Sequence, residues 1–320
     1  MHHETITIAC PSTGTSASIV PTRGMNCIEF STVFGGDLVD VIDAEDGFLS
    51  GQTRSTRSGI PILFPFPNRI EDGKYSWDGK DYTLPIQPGR KHGMHGFCFD
   101  TPWRVIEKTQ SSLTAEFQLS VDAPDQLKNW PADCLIRLTY EVTHHKLISK
   151  FHIENPDKKP LPWGLGTHAY FKVPLVSFSA PGNCLAQLPV AKQYVHVNEI
   201  PTGESSHTEL IDRLVEGEYY DTLKLDDLFS MTPPPTGQLY ETRLIDEKAG
   251  IEMVQRYSQE FQFQVMFTPE GRDCICMEPY TCMSNAINMK LSPKETGWQV
   301  LEPGQSKDLY IELEVQKVIA

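Results

Sequence analysis

Short stretches in which apolar and polar residues alternate recur along the chain, and they restrict its fold more than any other feature. In LTAEFQLSV (113–121) and LISKFHIEN (147–155), charged or polar residues fall between apolar ones. A period of two is typical of an antiparallel sheet with one solvated face. Further stretches of this type are ETITIAC (4–10), WRVIEKT (103–109), LIRLTYEVT (135–143), FQFQVMFT (261–268) and DLYIELEVQK (308–317). The sequence therefore predicts an all-β protein.

The connections between these stretches are rich in residues that end strands. The chain contains 24 prolines and 22 glycines, and helical periodicity is scarce. Asp-Gly pairs at 72–73 and 78–79 are typical of hairpin turns. We therefore expect a large antiparallel β-sandwich with few short helices and long loops. Because neither an internal repeat nor a flexible linker is evident, residues 1–320 are predicted to form one domain.

The charge of the chain argues against several classes of partner. A formal net charge of −14 repels phosphate groups, so neither nucleic acid nor an anionic membrane is expected as a partner. The N-terminus has no signal-peptide pattern, and no run of about 18 apolar residues follows. We therefore expect a cytoplasmic protein whose partner is a neutral small molecule.

The cysteines and histidines do not form a recognisable metal-binding pattern. The eight cysteines include no CxxC pair, so reduced and mostly packed thiols are expected. His92 and His95 are close in sequence, but no cluster of acidic or cysteine ligands follows at a usual interval. No metal and no cofactor are predicted, and His92 is expected at the surface.

One acidic residue occupies an unusual position. Glu278 lies in DCICMEPYTCMSNAIN (273–288), where alternation places Cys274, Cys276 and Glu278 on one face of a strand. Partial burial would raise the pKa of this carboxyl and neighbouring donors would lower it, which suits a group that takes up a proton. The alternative is a glutamate at the rim that only keeps the end of the strand soluble.

A proline-rich segment (59–73) precedes a second polar group. Its prolines fix the backbone and remove hydrogen-bond donors, so the segment is predicted to be a rigid ledge and not a central strand. Asn68 and Arg69 follow these prolines. The guanidinium of Arg69 suits sugar oxygens as well as carboxylates. The alternative is a surface ion pair with Glu71 or Asp72.

Three further segments carry candidate groups. His95 is followed by Gly96, and glycine permits close backbone approach at a pocket wall. His168 follows a glycine-rich turn and precedes Tyr170; a histidine exchanges protons near neutral pH and an aromatic ring offers a face for a sugar. A core histidine bonded to backbone is the alternative for His168. Adjacent carboxylates in the segment LDDLF (225–229) face opposite ways, so at most one of the two enters a given site.

Taken together, NRIEDGKYSWDGKDYTL, HGFCFDTPW, GLGTHAYF, LDDLF and MEPYTCMSNAIN resemble the aldose 1-epimerase (galactose mutarotase-like) family in order and spacing, over about residues 59–288. The resemblance implies a galactose mutarotase-like supersandwich with the site on its concave face. It also implies an isomerase that interconverts the anomers of a monosaccharide by opening and reclosing its ring, without a cofactor. We expect a monomer or a homodimer.

The resemblance implies a role for individual residues. Glu278 would be the general base that takes the proton from the C1 hydroxyl, and His168 would be the general acid that protonates the ring oxygen. His95 would hydrogen-bond near these oxygens. We expect His168 to be protonated while Glu278 is ionised, because their mutual attraction favours that pair of states. The implied substrate-binding residues are Asn68, Arg69, Tyr170 and Asp226, with Asp226 or Asp227 open as the carboxylate that enters the site.

Departures from the family pattern bear on the sugar. The galactose branch usually has Leu-His-Gly-Gly where this chain has His-Gly-Phe at 95–97, and Val265 replaces a frequent substrate-binding glutamine. Hexose-6-phosphate 1-epimerases usually have an arginine where this chain has Phe99. Without that guanidinium a phosphate loses charge-assisted hydrogen bonds, so a neutral aldose is favoured. The alternatives are a hexose-6-phosphate 1-epimerase, a non-catalytic carbohydrate-binding protein, or a lyase or hydrolase on a similar fold.

Overall fold

The computed structural model describes residues 2–318, and within them strands dominate and every pair of named strands is antiparallel. The strands in chain order are β1 Ile6–Cys10, β2 Thr15–Val20, β3 Asn26–Phe34, β4 Asp37–Asp40, β5 Ile62–Leu63, β6 Arg69–Ile70, β7 Lys74–Trp77, β8 Lys80–Thr83, β9 Gly93–Met94, β10 Arg104–Lys108, β11 Ser112–Gln118, β12 Leu135–Thr143, β13 Lys146–Glu154, β14 Leu161–Trp163, β15 Gly166–Thr167, β16 Tyr170–Lys172, β17 Cys184–Gln187, β18 Val190–Val197, β19 Ile200–Ser206, β20 Glu218–Tyr219, β21 Asp226–Met231, β22 Tyr240–Asp246, β23 Ile251–Tyr257, β24 Phe263–Phe267, β25 Cys274–Tyr280, β26 Gln299–Leu301 and β27 Ser306–Lys317.

The helices of this part of the chain are short. The α-helices are α1 Leu119–Asp122, α2 Glu209–Glu216 and α3 Pro293–Thr296. Short 3-10 helices lie at Pro11–Thr13, Pro21–Arg23, Ser55–Arg57, Glu71–Gly73, Pro124–Asn129, Pro181–Asn183, Tyr220–Thr222 and Ala286–Asn288. No helix among residues 2–318 is long and apolar enough to cross a lipid bilayer.

Two large sheets form the body of the fold. The nine-stranded sheet has the order β10-β11-β12-β13-β27-β23-β22-β17-β20. The eight-stranded sheet has the order β19-β18-β21-β24-β25-β15-β5, and β16 also pairs with β25. Strands β1 to β4 form a four-stranded sheet in sequence order, and the pairs β14 and β26, β6 and β9, and β7 and β8 form two-stranded ribbons.

The main hydrophobic core contains residues from both large sheets. Phe151 of β13 and Leu313 of β27 belong to the same buried cluster as Met266 of β24 and Met277 of β25. Burial of such a side chain stabilises the fold by roughly 1.5–3 kcal/mol. The alternating polar residues of the nine-stranded sheet remain partly exposed and form ion pairs, as between Arg137 and Glu116 at 3.0 Å. The all-β, antiparallel sandwich with few short helices is therefore confirmed, whereas the single domain stays a prediction.

The alternating patterns located strands well but overran one strand end. Residues 135–143 form β12, and residues 147–155 overlap β13 with a shift of one residue. The strand predicted over 113–121 ends at Gln118, where α1 begins. The cause is local, because the Asp122 carboxylate accepts a hydrogen bond from the Gln118 N–H at 2.7 Å and so turns the chain.

The two Asp-Gly pairs behave differently. Asp78 and Gly79 join β7 to β8 with φ values of 48° and 72°, as expected for a two-residue hairpin turn. The pair at 72–73 lies in a 3-10 turn that precedes this hairpin. The proline-rich segment contributes only two short strands, β5 at one end of the eight-stranded sheet and β6 in the ribbon with β9. All eight cysteines are free thiols.

Candidate active site

Strand β25 divides its side chains between the main core and the opposite face of the eight-stranded sheet. Ile275 and Met277 pack into the main core. Cys274 and Cys276 lie in a separate small cluster. Glu278 has the same parity as these cysteines and is on their face, as the alternation predicted. The strand is buried along its whole length, so the interpretation of Glu278 as a soluble rim residue is wrong.

Neighbouring strands bring further groups to the same face. Tyr170 of β16 and Phe267 of β24 lie opposite Cys276 on either side of β25. Asp226 of β21 lies opposite Phe267 in turn. Residues directly opposite each other in a sheet share a face, so this register places Asp226 and Glu278 on one surface.

This surface forms one wall of a cavity of about 570 Å³, which is within the usual range for small-molecule sites. Every candidate site residue of the sequence lines it: Asn68, Arg69, His95, His168, Tyr170, Asp226 and Glu278. The remaining lining residues are Thr56, Arg57, Arg90, Met94, Glu199, Val265, Phe267, Thr268, Pro269, Glu270 and Arg272. Segments that are up to about two hundred residues apart therefore meet at one site.

The closest contact between an acid and a base in the cavity joins His168 and Glu278. Their Nδ1 and Oε1 atoms are 3.2 Å apart. Neither atom has an aligned hydrogen-bond partner within residues 2–318. The other carboxylate oxygen, Oε2, accepts a hydrogen bond from the Tyr280 hydroxyl at 2.5 Å. Tyr280 thus orients the carboxyl group, and one oxygen remains for a ligand or for His168.

Burial governs the protonation of this pair. It raises the pKa of Glu278 well above its usual value. It also lowers the pKa of His168 from 6.5 to about 3. Desolvation thus disfavours both charges and opposes the expected pair of an imidazolium and a carboxylate.

We expect the raised pKa of Glu278 to appear in the pH dependence of folding. A carboxyl whose pKa rises on folding stabilises the protein below its ordinary pKa of 4.5, and this contribution is lost as the pH rises through the raised value. Glu278→Gln should therefore gain stability relative to the wild type as the pH increases, by at most about 1.4 kcal/mol per pH unit. Urea unfolding at a series of pH values measures this difference.

The matched control is Glu302→Gln, which removes the same charge from an exposed position. Its stability should follow the wild type at every pH. His168 acts at the other end of the pH scale, since a histidine with a lowered pKa stabilises the fold above pH 6.5 and loses that contribution as the pH falls toward about 3. A constant difference between Glu278→Gln and the wild type at every pH above 4.5 would contradict the raised pKa.

Tyr170 supports His168 and does not offer a free face. The two rings stack with centroids 4.8 Å apart and an interplanar angle of 7°. The Tyr170 hydroxyl donates to the Thr56 carbonyl at 2.8 Å, and the Arg272 guanidinium lies 4.9 Å from the ring centroid. With 2% of its surface exposed, Tyr170 does not fit the predicted role of a stacking platform for a sugar. It fixes the orientation of His168.

His95 comes from a different segment of the chain and lies beside His168. The centroids of the two rings are 5.9 Å apart. Its backbone is left-handed, with φ of 66°. At Gly96, which has φ of 72°, a Cβ atom would lie 2.0 Å from the Phe64 carbonyl oxygen. The predicted close backbone approach is confirmed there. Burial lowers the pKa of His95, and its Nδ1 has no hydrogen-bond partner among the described residues.

Arg69 forms another side of the cavity. Its Nη1 donates to the Asn68 Oδ1 at 3.0 Å, and its Nη2 lies 3.4 Å from the Glu199 Oε1. The ion-pair alternative with Glu71 or Asp72 is wrong, because the acidic partner of Arg69 is Glu199, in the turn between β18 and β19. The Nε of Arg69 is buried without a partner in residues 2–318.

The adjacent carboxylates of β21 have different surroundings. Asp226 lines the main cavity. The Oδ1 of Asp227 instead accepts a hydrogen bond from the Gln193 Nε2 at 2.8 Å. Asp227 lines only a smaller adjoining cavity of about 60 Å³. Asp226 is therefore the carboxylate that faces the main cavity.

Sequence reasoning missed several residues of the site. Tyr280 had a usable signal, because it lies two residues after Glu278 and so shares its face. Glu199 and Arg272 had no local signal. His92 was expected at the surface, but it is 2% exposed. It is buried because its ring accepts a hydrogen bond from the Asp72 N–H and contacts the Asn198 carbonyl oxygen.

A potential cation-binding set overlaps the acid and base. Ligand atoms of His168, Cys276 and Glu278 lie within 4.8 Å of one another. Burial raises the pKa of the Cys276 thiol well above its usual value. A cation would therefore have to displace protons from both the thiol and the carboxyl before these groups could bind it.

Comparison with known proteins places the chain in a family. The sequence model of the aldose 1-epimerase family matches residues 36–314. The uncharacterized protein YihR of Escherichia coli K12 is 27% identical over 71% of each chain. Galactose mutarotase of Rattus norvegicus is 29% identical over 49% of this chain, a match that spans 43% of that enzyme.

Solved structures share the fold over almost all of the chain. A galactose mutarotase-like protein of Clostridium acetobutylicum superposes with a TM-score of 0.86 at 23% identity, covering 99% of both chains. The GalM/aldose epimerase homologue of C. elegans gives a TM-score of 0.81 at 20% identity, covering 99% of this chain and 100% of that one. The resemblance inferred from the sequence motifs is confirmed: this chain belongs to the aldose 1-epimerase family.

Proposed function

We propose that this protein is a mutarotase that interconverts the α and β anomers of a neutral free aldose. The supporting observation is the contact between His168 and Glu278, 3.2 Å apart and facing a cavity of about 570 Å³. A sugar's ring oxygen and C1 hydroxyl are attached to the same carbon. An acid and a base that lie side by side can therefore reach both oxygens at once.

The reaction needs two proton transfers that balance each other. Ionised Glu278 removes the proton from the C1 hydroxyl, and protonated His168 donates a proton to the ring oxygen. The bond between C1 and the ring oxygen breaks, and an open-chain aldehyde with a free hydroxyl forms. Rotation about C1–C2 exposes the other face of the aldehyde. The same transfers in reverse then close the ring as the other anomer.

Burial of the pair matches its protonation state after ring opening. When the ring opens, Glu278 becomes a neutral acid and His168 becomes a neutral imidazole. These are the forms that the raised pKa of Glu278 and the lowered pKa of His168 favour. The charged forms that act on the closed sugar have to form against the same desolvation.

The remaining polar groups are suited to hold the sugar during this cycle. His95 carries a buried Nδ1 and Arg69 a buried Nε, both without hydrogen-bond partners among residues 2–318. Sugar oxygens are good acceptors for an Arg69 donor. Fixed donors that are already oriented before the reaction lower the cost of charge that develops on the ring oxygen.

Three of the four arginines that line the cavity already have carboxylate partners, which favours a neutral sugar over a phosphorylated one. Arg57 and Arg272 contact Glu45 at 2.8 and 3.1 Å, whereas Arg90 forms no ion pair among residues 2–318. Arg69 lies 3.4 Å from Glu199. Guanidinium groups that already have carboxylate partners are less available to a phosphate. Neutral hydroxyl groups need only the hydrogen-bonding capacity that remains.

The proposal is tested by the rate at which a freshly dissolved single anomer equilibrates. The purified protein should accelerate this exchange for at least one sugar in a panel of free hexoses and pentoses, as measured by polarimetry or by NMR exchange spectroscopy. The panel includes hexose 6-phosphates, so that a preference for them is visible. Saturable binding by calorimetry without faster exchange would instead identify a carbohydrate-binding protein.

The neighbouring carboxylates of β21 give an internal comparison. We expect Asp226→Asn to raise KM about tenfold, because a charged acceptor for sugar hydroxyls is lost. Asp227→Asn makes the same chemical change one residue away, at a carboxylate bonded to Gln193, and should leave KM within about twofold. Initial rates at varied sugar concentration measure both. Equal effects of the two substitutions would contradict the assignment of Asp226 to the site.

A further inference from the structure

The turn between β18 and β19 places the carboxylate of Glu199 at the cavity. Neither strand carries the proposed acid or base. Asn198 and Glu199 form this two-residue turn, with φ values of 51° and 66°. Both values lie in the left-handed region, as tight hairpin turns require. Glu199 lines the main cavity and also the smaller adjoining one. The turn is therefore part of the wall between these two spaces.

A buried histidine, His92, fixes the position of this turn. The Nδ1 of His92 accepts a hydrogen bond from the Asp72 N–H at 3.0 Å, so the ring proton is on Nε2. This Nε2 donates to the Asn198 carbonyl oxygen at 3.1 Å. His92 is 2% exposed. A buried ring with both nitrogens engaged is a rigid support for the hairpin tip.

The contact between Glu199 and Arg69 leaves acceptor capacity free. A single pair of atoms, Nη2 and Oε1, lies at 3.4 Å, and the Glu199 side chain is 57% exposed. A carboxylate has about four lone-pair sites, and this contact occupies at most one of them. Asp226 lines the same two cavities. A sugar bound against Arg69 thus meets carboxylate oxygens from two sides.

We propose that Glu199 determines sugar specificity by accepting hydrogen bonds from hydroxyl groups distant from C1, and that His92 is the positioning residue that holds it there. This inference rests on the proposed mutarotase function. Hydroxyl groups donate to a carboxylate, whereas an anionic substituent in the same place is repelled. The preferred substrate therefore carries a neutral hydroxyl at the Arg69 end of the cavity.

The central test compares Glu199→Gln with Glu204→Gln. Both remove one negative charge from the same hairpin, but Glu204 is exposed on β19 and does not line the cavity. We expect Glu199→Gln to raise KM about tenfold with kcat within about twofold, because a charged hydrogen bond to the sugar is weakened. Glu204→Gln should leave both parameters unchanged.

Sugar analogues that each lack one hydroxyl group identify the contact. The wild type should discriminate against one of these analogues by about tenfold in kcat/KM, and Glu199→Gln should lose that discrimination. Removing both the sugar hydroxyl and the Glu199 carboxylate should lower kcat/KM no more than removing either group alone. If Glu199→Gln shows the same preference among the analogues as the wild type, the proposal is wrong.

His92→Leu tests the positioning role. It should raise KM severalfold in the wild type but have no further effect on KM in the Glu199→Gln background, because the tip then carries no carboxylate to position. Thermal unfolding of each variant is measured in parallel. Equal KM increases in both backgrounds would show that His92 acts on general stability and would overturn its assignment.

The outcomes separate this inference from the proposed function. If the wild type does not accelerate anomer exchange, the mutarotase proposal fails, and calorimetry then compares sugar affinity in the wild type and Glu199→Gln. A tenfold weaker affinity of the variant still supports the binding role of Glu199. If the wild type is active and Glu199→Gln has an unchanged KM, the mutarotase proposal stands and the inference about Glu199 is overturned.

Discussion

Glu278→Gln is expected to lower kcat for anomer exchange by roughly 10²–10⁴-fold, the usual contribution of a positioned general base. Glutamine has nearly the same shape and can still accept from the Tyr280 hydroxyl, which bonds the Oε2 of Glu278 at 2.5 Å. It cannot take a proton from the C1 hydroxyl. The loss should therefore appear in kcat, with a smaller change in KM.

Polarimetry at saturating sugar measures this loss, and unfolding by urea confirms that the variant is folded. Glu302→Gln, an exposed glutamate far from the cavity lining, is the control for the charge change. Binding by calorimetry should persist in Glu278→Gln, since hydroxyl contacts elsewhere in the cavity are retained. A variant that keeps more than about a tenth of the wild-type kcat would exclude Glu278 as the general base.

His168→Phe is expected to lower kcat by a similar factor, roughly 10²–10⁴-fold. Phenylalanine preserves the stack on Tyr170, in which the ring centroids are 4.8 Å apart, and removes both nitrogens. The proton donor for the ring oxygen is then lost while the packing remains. Initial rates of anomer exchange measure the effect, and thermal unfolding separates it from a loss of stability.

The double variant of Glu278→Gln and His168→Phe sharpens this test. Because the proton taken up by Glu278 and the proton donated by His168 balance each other, the two groups act as a unit. The kcat of the double variant should therefore be only slightly lower than that of the less active single variant. Multiplication of the two losses would show that His168 and Glu278 act in independent steps, contrary to the proposed mechanism.

The strands could be predicted because their signal is local. In β12 and β13, most apolar residues are buried and most polar residues are partly exposed, so a period of two marks the strand without knowledge of its neighbours. The end of β11 could not be predicted in this way. It depends on the Asp122 carboxylate, which accepts from the Gln118 N–H four residues earlier, a bond that the alternation does not reveal.

The residues of the site also differ in whether their signal is local or depends on distant residues. Glu278 could be chosen because a charged residue interrupts an apolar strand, and His168 because it follows a glycine-rich turn. The partner of Arg69 could not be found, since Glu199 is 130 residues away in sequence. The same reason applies to His92, whose burial depends on the Asn198 carbonyl oxygen at a sequence separation of 106. Nothing in the flanking residues of either side chain indicates these contacts.

The orientation of the proposed base depends on the lack of a side chain at one position of a neighbouring strand. At Gly166 of β15, a Cβ would lie 2.4 Å from the Tyr280 ring and 2.8 Å from the Pro67 Cβ. Any larger side chain there would push the ring and its hydroxyl away from Glu278. Engineered libraries that aim to change sugar preference should therefore keep Gly166 fixed and vary exposed residues of the cavity lining, such as Arg57, Arg90 and Glu270.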